Sequence, residues 1–420
     1  MKKKLLCWSD APVAFTGFGT VARYVIGALQ ATNLFDIDQL AINYHGQFVN
    51  KEQIPWQMQP ARLLDPKDPY GNKMFLRALQ EHEYDYVWIL NDTFVVHGVA
   101  AEMVKVLDQK VAKGKKRPIV IYYYPVDCRV IPEASDMLRF CDVAVSYNAH
   151  GKSETVAVLP ELANKISTIY HGTDTQRYRP FRKEICDELK KKYFDRDPDT
   201  YIVTNVNRNS VRKQLSRTML AFKEFKKQVP NSVLYLHTAA QDREIDLISA
   251  ATHIGLRPKE DLIFPPNYSP SHGYPDSVLN ELYNCADLFV TTHLGEGWGL
   301  SVTEAMSAGV PVIAPNNTSM PEIIGSNNER GYLYNCDELI YIDNSGYRPM
   351  GRTRTIVEEM LKVHNLGWKH DNPKVIAARQ WVEKNNWSKV CGDWLKLFSD
   401  LEERANLPKE NEASFVGELL

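Results

Sequence analysis

Two series of short apolar runs, separated by longer helical patterns, constrain the fold of this chain more than any other feature. The first series ends near residue 170 and the second begins at residue 201. Such runs, bounded by turn residues, are typical of strands buried on both faces in a parallel sheet. The clearest are YVWIL (86–90), IVIYYY (119–124), YIVTNV (201–206), VLYLH (233–237) and LFVTT (288–292). The sequence therefore predicts an α/β protein with two doubly wound sheets.

The length of the chain, 420 residues, also favours two hydrophobic cores over one. The charged stretch 174–200 separates the two series, so we place the boundary near residue 175. The predicted domains are residues 1–175 and 176–380. A helix over 381–405 is expected to return to the first domain through Trp381, Trp387 and Trp394, and residues 406–420 are expected to form a poorly ordered tail.

The charge balance disfavours a nucleic-acid-binding protein, because 50 Lys and Arg residues face 52 Asp and Glu residues. One basic stretch, 105–118, is either a solvated helix end or a site for a polyanion or membrane surface. Seven cysteines with no metal-binding spacing indicate a reducing compartment. Without a signal segment or an apolar run of membrane-spanning length, we expect a cytoplasmic protein, at most peripheral to a membrane.

The stretch HLGEGWGLSVTEAMSAGVP (293–311) follows a predicted strand and leads into a helix predicted to begin near Ser301. Gly295, Gly297 and Gly299 allow a ligand to approach the backbone closely. The unpaired N–H groups and the positive dipole end of the helix favour an anion at this place. A phosphate group is the most plausible anion for such a loop.

The two glutamates of this stretch require separate interpretations. Ser301 and Glu304 form an S-x-x-E pattern, so Glu304 could simply complete a capping box at the helix start. Glu296 has no such structural explanation. A carboxylate beside an anion site is unfavourable unless it accepts hydrogen bonds from ligand hydroxyls. A phosphate together with hydroxyls describes a nucleotide sugar.

The run from Glu296 to Glu304, continued by AMSAGVPVIAP, resembles the E-x7-E signature of retaining glycosyltransferases of the GT-B fold, family four. The resemblance implies two Rossmann-like domains facing each other across a cleft, with the acceptor on the first and the nucleotide on the second. It also implies that Glu296 lies beside the donor sugar and that Glu304 binds the ribose hydroxyls. The donor diphosphate would meet the backbone of Gly297, Gly299, Leu300 and Ser301.

Arg208 and Lys213 lie in NVNRNSVRKQ (205–214), at the carboxyl end of a predicted strand, where open α/β sheets bind ligands. From spacing alone they could equally be two solvated cations. In the resembled family an Arg-x4-Lys pair at this place neutralises the leaving diphosphate instead of a divalent metal. The resemblance therefore implies catalytic roles for Arg208 and Lys213 and no requirement for a metal or cofactor. The D-x-D triplets at 36–38, 195–197 and 197–199 are interpreted as surface residues.

The first domain supplies further candidates. Gly17 and Gly19 lie between a predicted strand and helix, where the resembled family has a loop near the donor phosphates. Asp127 follows IVIYYY at the place of a histidine in many relatives. It could hold the donor sugar or stabilise positive charge at the anomeric carbon, or it could form an Asx turn. Asp92 and His97 are candidate acceptor contacts.

His171 and Asp174 lie in IYHGTDTQRYRP (169–180), which resembles a segment that ends the first domain in the same family. We interpret both residues as structural, ordering the connection between the domains. No obligate protein partner is evident from the sequence.

The predicted function is retaining transfer of a sugar from a nucleoside-diphosphate sugar to a hydroxyl of a glycan, lipid, small molecule or modified nucleobase. One alternative is a viral type of DNA-base glycosyltransferase acting on hydroxymethylated bases. Another is a protein that binds or epimerises nucleotide sugars. The base of the nucleotide, the sugar and the acceptor stay open, because they depend on pocket shape.

Overall fold

The structure is a computed structural model that describes residues 2–242, 245–268, 273–343, 346–367 and 369–406. The chain divides into two compact units. Unit 1 comprises residues up to His171 together with those from Trp387 onward, and unit 2 comprises Gly172–Asn386. Residues 407–420 of the predicted tail lie outside the described residues.

Unit 1 is built on a seven-stranded parallel sheet with the strand order β3-β2-β1-β4-β5-β6-β7. Its strands are β1 (Lys3–Asp10), β2 (Phe35–Ile42), β3 (Gln57–Pro60), β4 (Tyr86–Leu90), β5 (Ile119–Tyr124), β6 (Val143–Ser146) and β7 (Ile166–Thr168). The connecting helices are α1 (Gly17–Ala31), α2 (Asn72–Glu81), α3 (Thr93–Ala112), α4 (Asp136–Phe140) and α5 (Ala149–Val158).

The central strands of unit 1 are apolar along their whole length because both faces of the sheet are covered. All five residues of β4 are buried, and so are the last five of β5. The strand order reverses between β1 and β4, so the chain runs outward in both directions from this pair. In doubly wound sheets this switch point is where the loops diverge and leave room for a ligand.

Unit 2 repeats the plan with a six-stranded parallel sheet in the order β12-β9-β8-β13-β14-β15. These strands are β8 (Tyr201–Val206), β9 (Ser232–His237), β12 (Leu262–Ile263), β13 (Leu288–Val290), β14 (Val312–Pro315) and β15 (Tyr332–Tyr334). Two antiparallel hairpins accompany the sheet, formed by β10 (Gln241–Asp242) with β11 (Ile245–Asp246) and by β16 (Glu338–Asp343) with β17 (Gly346–Met350).

The helices of unit 2 cover its sheet and include the helix expected in the charged connection. They are α6 (Lys183–Phe194), α7 (Leu215–Lys226), α8 (Leu247–His253), α9 (Asp276–Cys285), α10 (Leu300–Ser307), α11 (Met320–Ile324), α12 (Thr353–His364) and α13 (Pro373–Lys384). The strand order reverses between β8 and β13. The glycine-rich stretch and the Arg208–Lys213 segment therefore both lie at the switch point of this sheet.

The C-terminal region contains two helices where the sequence analysis expected one over 381–405. The second, α14 (Trp387–Asn406), packs on unit 1: Trp387 stacks on Tyr24 with ring centroids 4.5 Å apart, and Trp394 lies edge-on to Trp88 at 5.8 Å. Trp381 differs from the expectation, because it belongs to α13 and its ring lies 6.2 Å from that of Trp298 in unit 2. The helical pattern breaks between Lys384 and Trp387, which allows the chain to change units there.

No helix in the described ranges combines the length and the apolar character needed to span a membrane.

Candidate functional site

The candidate site in unit 2 is formed by the two loops that follow β8 and β13. The strands are neighbours, with Val203 opposite Leu288 in the ladder. Hydrogen bonds then tie the loops together: the amide of Leu294 donates to the carbonyl of Arg212 at 2.9 Å, and the hydroxyl of Thr292 donates to the carbonyl of Gln214 at 2.9 Å. The register of the sheet thus places Lys213 and Glu296, which are 83 residues apart, side by side.

A cluster of largely buried charges occupies the junction of these loops. The ammonium of Lys213 donates a hydrogen bond to Oε1 of Glu296, and Nη1 of Arg212 lies 3.3 Å from Oε2 of the same carboxylate. The Glu296 side chain is only 12% exposed. Burial alone would raise the pKa of Glu296, but the cations of Arg212 and Lys213 outweigh it and hold the pKa well below its ordinary value. Glu296 is therefore a carboxylate at neutral pH.

Arg212 is a site residue that the sequence analysis missed. Besides its ion pair with Glu296, its guanidinium donates a hydrogen bond to the carbonyl of Gly295. Arg212 therefore links the glycine-rich loop to the loop that follows the neighbouring strand β8. Arg208, the arginine selected from the sequence, is 58% exposed, and its Nε lies 2.9 Å from Oδ2 of Asp242. The structure thus joins Lys213 and Arg212 to Glu296, whereas Arg208 lies at the rim beside Asp242. The sequence feature that could have indicated Arg212 is its position next to Lys213.

His293 lies within the same loop and was also not selected. It is buried, and within the described part of the chain neither of its ring nitrogens has a hydrogen-bond partner. Burial lowers the pKa of His293 to about 3, with Lys213 and Arg212 lowering it and Glu296 opposing them. The ring is therefore neutral at pH 7 and adds no charge to the cluster.

Helix α10 begins one residue earlier than predicted. Its N-cap is Gly299, whose φ of 104° lies in the left-handed region, and a Cβ there would come within 2.9 Å of Cε of Met320. Ser301 is thus the second residue of the helix and cannot be its N-cap, so the capping-box interpretation of Ser301 and Glu304 is wrong. The Glu304 carboxylate instead accepts a hydrogen bond from the hydroxyl of Tyr283 at 2.9 Å.

The backbone of the glycine-rich loop is fixed by residues that follow β14. The hydroxyl of Ser319 donates to the carbonyls of Glu296 and Trp298, both at 2.9 Å, and the amide of Glu296 donates to the hydroxyl of Thr318 at 3.0 Å. Gly297 is buried between these contacts, and Leu300 and Ser301 begin the helix. The loop therefore presents the amino end of α10, where helices favour anions.

In unit 1, Gly17 and Gly19 lie in the first turn of α1 and not in the loop before it. Thr16 is the N-cap, and its side chain accepts a hydrogen bond from the amide of Gly19 at 3.0 Å. A Cβ on Gly19 would lie 2.5 Å from the carbonyl oxygen of Ala14, so the loop can fold over this helix only if residue 19 is glycine. Close packing explains Gly19, and a donor contact of either glycine stays a prediction.

The remaining candidates of unit 1 follow the strands named in the sequence analysis. Asp127 is half-buried in the loop after β5, and Asp92 precedes α3, where it is the N-cap residue but caps no amide with its side chain. His97 lies one turn into α3, with its Nδ1 3.4 Å from Oδ2 of Asp136. The sheet order places Asp92 and Asp127 after two neighbouring strands, β4 and β5, whereas His97 faces the half-buried carboxylate of Asp136.

His171 and Asp174 have contacts within the chain. Nδ1 of His171 lies 2.7 Å from the hydroxyl of Tyr123, and burial lowers the pKa of His171 to about 3. Asp174 accepts a hydrogen bond from the amide of Arg177 at 3.0 Å. These contacts are the kind that the structural interpretation of both residues requires.

Among the described residues, no group of three or more His, Cys, Asp and Glu side chains is arranged to hold a metal ion. In the basic stretch 105–118, Lys115, Lys116 and Arg117 form ion pairs with acidic residues at 2.6 to 3.1 Å. Because local carboxylates neutralise these cations, the stretch fits a solvated helix end better than a polyanion site.

The comparisons with known proteins match this architecture. The sequence profile of the family "Glycosyl transferases group 1" matches residues 187–338, which include both loops of the unit 2 site. A relative in Escherichia coli, O-antigen chain mannosyltransferase B, is 52% identical over 54 residues, 13% of this chain and 14% of the relative. A putative glycosyltransferase of Bacillus subtilis (strain 168), EpsD, is 24% identical over 67% of this chain and 71% of its own length.

Among solved structures, Anabaena Alr3699/HepE in complex with UDP is similar with a TM-score of 0.67 at 16% identity, covering 95% of this chain and all of that one. The two doubly wound sheets therefore define a protein of the GT-B fold, as the sequence analysis predicted. Within that fold, the match to the glycosyl transferases group 1 profile lies in unit 2, over residues 187–338. The alignment with the mannosyltransferase spans only 14% of that relative.

Proposed function

We propose that this protein is a retaining glycosyltransferase that moves a sugar from a nucleoside-diphosphate sugar to an acceptor hydroxyl and needs no metal ion. The observation that carries the proposal is the largely buried cluster of Lys213, Arg212 and Glu296 at the switch point of unit 2, next to the amino end of α10. Two cations and a helix end favour a diphosphate, whereas Glu296 can accept hydrogen bonds from sugar hydroxyls.

On the donor side, Lys213 and the amides at the start of α10 bind the diphosphate, with Arg208 at the rim of the site. Glu304, held by the hydroxyl of Tyr283, accepts hydrogen bonds from the ribose hydroxyls. Arg212 is a positioning residue, because it fixes Glu296 and the carbonyl of Gly295.

In the reaction, the bond between the anomeric carbon and the diphosphate oxygen breaks, and its electron pair stays on the diphosphate. Positive charge develops on the sugar ring, where Asp127 is proposed to stabilise it. The acceptor oxygen then attacks from the face that the diphosphate leaves, and its proton passes to a diphosphate oxygen. Attack on that face retains the anomeric configuration.

Metal independence follows from the charges assigned to the donor site. A departing diphosphate needs positive charge in the transition state, and fixed cations in a buried site supply it without reorganisation. Lys213 and Arg212 are partly neutralised by Glu296 in the absence of ligand. The amino end of α10 and Arg208 supply the additional stabilisation in the proposed complex.

A thermal-shift panel of UDP, GDP, ADP and their sugars, measured with and without EDTA, tests the proposal. A ligand that binds only the folded state raises the melting temperature. We expect one nucleoside diphosphate to raise it equally with and without the chelator, and the increase to be reduced in Arg208→Ala. Arg354→Ala, which removes an exposed cation paired with Glu358 elsewhere in unit 2, is the matched control. An unchanged response in Arg208→Ala, or no response to any nucleotide, would contradict the proposal.

The stereochemical part of the proposal needs a separate measurement. NMR of the anomeric proton in the first product formed should show the configuration of the donor. An inverted product would contradict the same-face mechanism but not the proposed donor site. A free epimerised sugar would favour the epimerase alternative.

A further inference from the structure

The cations of the unit 2 site that are proposed to face the diphosphate each have a carboxylate partner within the chain. The ammonium of Lys213 donates a hydrogen bond to Oε1 of Glu296. Nε of Arg208 lies 2.9 Å from Oδ2 of Asp242, and Nη1 of Arg212 lies 3.3 Å from Oε2 of Glu296. A diphosphate that binds these cations must therefore share them with the carboxylates or displace the carboxylates.

Both members of the pair between Lys213 and Glu296 keep some exposed surface. The side chain of Lys213 is 14% exposed and that of Glu296 is 12% exposed. A ligand at the glycine-rich loop can consequently touch the ammonium and the carboxylate. Because most of the pair is removed from water, its charges are screened less than those of a surface ion pair. Competition for Lys213 therefore has a measurable effect on the affinity for an anion.

The backbone of Glu296 is fixed independently of its carboxylate. The amide of Glu296 donates to the hydroxyl of Thr318 at 3.0 Å, and its carbonyl accepts a hydrogen bond from the hydroxyl of Ser319 at 2.9 Å. The carboxylate can still turn, because its side-chain torsions have several staggered positions. Glu296 can thus exchange one partner for another by a change of rotamer, without any rearrangement of the loop.

The position of Glu296 makes a bare diphosphate an unfavourable ligand. A diphosphate bound to Lys213 brings negative oxygens next to the carboxylate that pairs with the same ammonium. Like charges this close repel each other strongly in a site with little water. Hydroxyl groups relieve the repulsion, because they donate hydrogen bonds to the carboxylate in place of the ammonium. A sugar attached to the diphosphate carries such hydroxyls, and the diphosphate alone does not.

We propose that the ion pair between Lys213 and Glu296 makes the site select a sugar-bearing diphosphate over the bare diphosphate product. When the donor binds, Glu296 turns from Lys213 to the sugar hydroxyls, and Lys213 turns to the diphosphate. After transfer the hydroxyls leave with the acceptor. Glu296 then competes with the diphosphate for Lys213, which promotes release of the product. This selection rests on the function proposed above, and it makes Glu296 a residue that determines specificity.

Isothermal titration calorimetry on the full chain tests the proposal in the wild type. The probes are the nucleoside diphosphate with the largest thermal shift among UDP, GDP and ADP, its sugar nucleotides, and its β-methyl ester. The methyl ester carries the same charge as the sugar nucleotide but has no sugar hydroxyls. We expect the best sugar nucleotide to bind at least about tenfold more tightly than the methyl ester, as hydrogen bonds to a charged group predict. This comparison does not depend on the folding of a variant.

Glu296→Gln separates competition from a contact with the sugar alone. The variant keeps the size of the side chain and removes its charge, so Lys213 and Arg212 lose their competitor. It should bind the bare diphosphate and the methyl ester about tenfold more tightly than the wild type, as close charge pairs predict. Its preference for the sugar nucleotide should shrink. The matched control is Glu358→Gln, which removes an exposed carboxylate paired with Arg354 and should change none of these affinities.

A double-mutant cycle separates competition for Lys213 from a general repulsion of anions. Lys213→Met and Lys213→Met/Glu296→Gln are compared for their affinity for the bare diphosphate, with circular dichroism to show that each variant is folded. Without the ammonium there is less to compete for, so removal of the carboxylate should raise the affinity by a smaller factor than it does when Lys213 is present. An equal factor in both backgrounds would mean that the carboxylate only repels the ligand.

Three outcomes would overturn the proposal. These are equal affinity of the wild type for the sugar nucleotide and the methyl ester, unchanged affinity of Glu296→Gln for the bare diphosphate, or an equal factor in both backgrounds of the cycle. Inorganic pyrophosphate, which has no nucleoside, distinguishes this failure from failure of the proposed function. If no nucleotide binds, the proposed function is contradicted. Tighter binding of pyrophosphate to Glu296→Gln than to the wild type would then still support the competition, and equal or absent binding would overturn it.

Discussion

Lys213 and Glu296 form a largely buried ion pair that joins the loops following two adjacent strands, β8 and β13, of unit 2. Arg212 approaches the same carboxylate from the same segment as Lys213. We expect the charge balance of this cluster to govern both the stability of the glycine-rich loop and its response to a ligand.

Replacing one partner of this pair should be strongly destabilising. Lys213→Met removes the ammonium and leaves Glu296 with Arg212 alone, which should lower the free energy of unfolding by about 3 kcal/mol, as for other broken buried pairs. The double variant Lys213→Met/Glu296→Gln should recover part of the loss. Urea denaturation of the single and double variants measures the coupling, and additive effects would show that the pair is not energetically coupled.

The low pKa of Glu296 predicts an acid-dependent contribution to stability. Burial raises the pKa of Glu296, but Arg212 and Lys213 bring it below the ordinary 4.5 in the folded state. The unfolded state therefore binds the proton more tightly. The contribution is then complete above pH 4.5 and decreases as the pH falls through the folded value. The stability difference between wild type and Glu296→Gln should be constant above about pH 5 and should shrink as the pH falls below 4.5. A constant difference would contradict this explanation.

His171 should act in a different pH range. Burial lowers the pKa of His171 to about 3, whereas the ordinary value is 6.5, so the unfolded state takes up the proton first as the pH falls. The stability from this buried neutral ring is present above pH 6.5 and decreases below it. His171→Gln, which keeps an acceptor near the hydroxyl of Tyr123, should flatten the stability profile between about pH 7 and about pH 4. An unchanged slope would show that His171 does not titrate on unfolding.

Gly299 should tolerate no side chain. At a φ of 104°, Gly299→Ala is strained by the backbone and would also place its Cβ 2.9 Å from Met320, so we expect a loss of about 1–2 kcal/mol of stability and weaker nucleotide binding. The double variant Gly299→Ala/Met320→Ala should relieve the contact with the added Cβ but not the backbone strain. The matched control is Gly27→Ala, because Gly27 lies inside α1 with no atom within 4 Å of its added Cβ. That variant should gain about 0.5–1 kcal/mol.

The basic stretch 105–118 should not support DNA binding. Lys115 and Lys116 pair with Glu83 and Asp85, so few cations remain to release counterions from a phosphate backbone. Fluorescence anisotropy with duplex DNA at low and moderate salt should show no affinity that falls steeply with salt. A steep dependence that disappears in Lys115→Ala/Lys116→Ala would favour a polymeric acceptor.

The parallel strands could be predicted from the sequence because a strand that is buried on both faces appears as a run of consecutive apolar residues. YVWIL, IVIYYY and YIVTNV are confirmed residue for residue as Tyr86–Leu90, Ile119–Tyr124 and Tyr201–Val206. The hairpin Glu338–Asp343 with Gly346–Met350 was missed. Its first strand alternates between half-buried and exposed residues and has no apolar run.

The site was predicted where it depends on local sequence and missed where it depends on pairing. The glycine-rich loop and its following helix needed only the order of residues, and Lys213 and Glu296 were both selected. Arg208 was selected and Arg212 was not considered, because which arginine reaches Glu296 depends on which side of the loop faces β13. The partner of Glu304, Tyr283, lies in α9, 21 residues away, and no spacing rule predicts that contact.

The sequence by itself determined the two α/β units, the strands at their centres and the segments that follow those strands, because apolar periodicity reports burial directly. Only the tertiary structure decided which charged side chains form ion pairs and which polar groups have no hydrogen-bond partner. Those outcomes depend on the register between strands that are distant in the chain. It places Glu296 against Lys213 and Arg212, and among the described residues it leaves Nδ2 of Asn91 and the hydroxyl of Tyr147 without a hydrogen-bond partner.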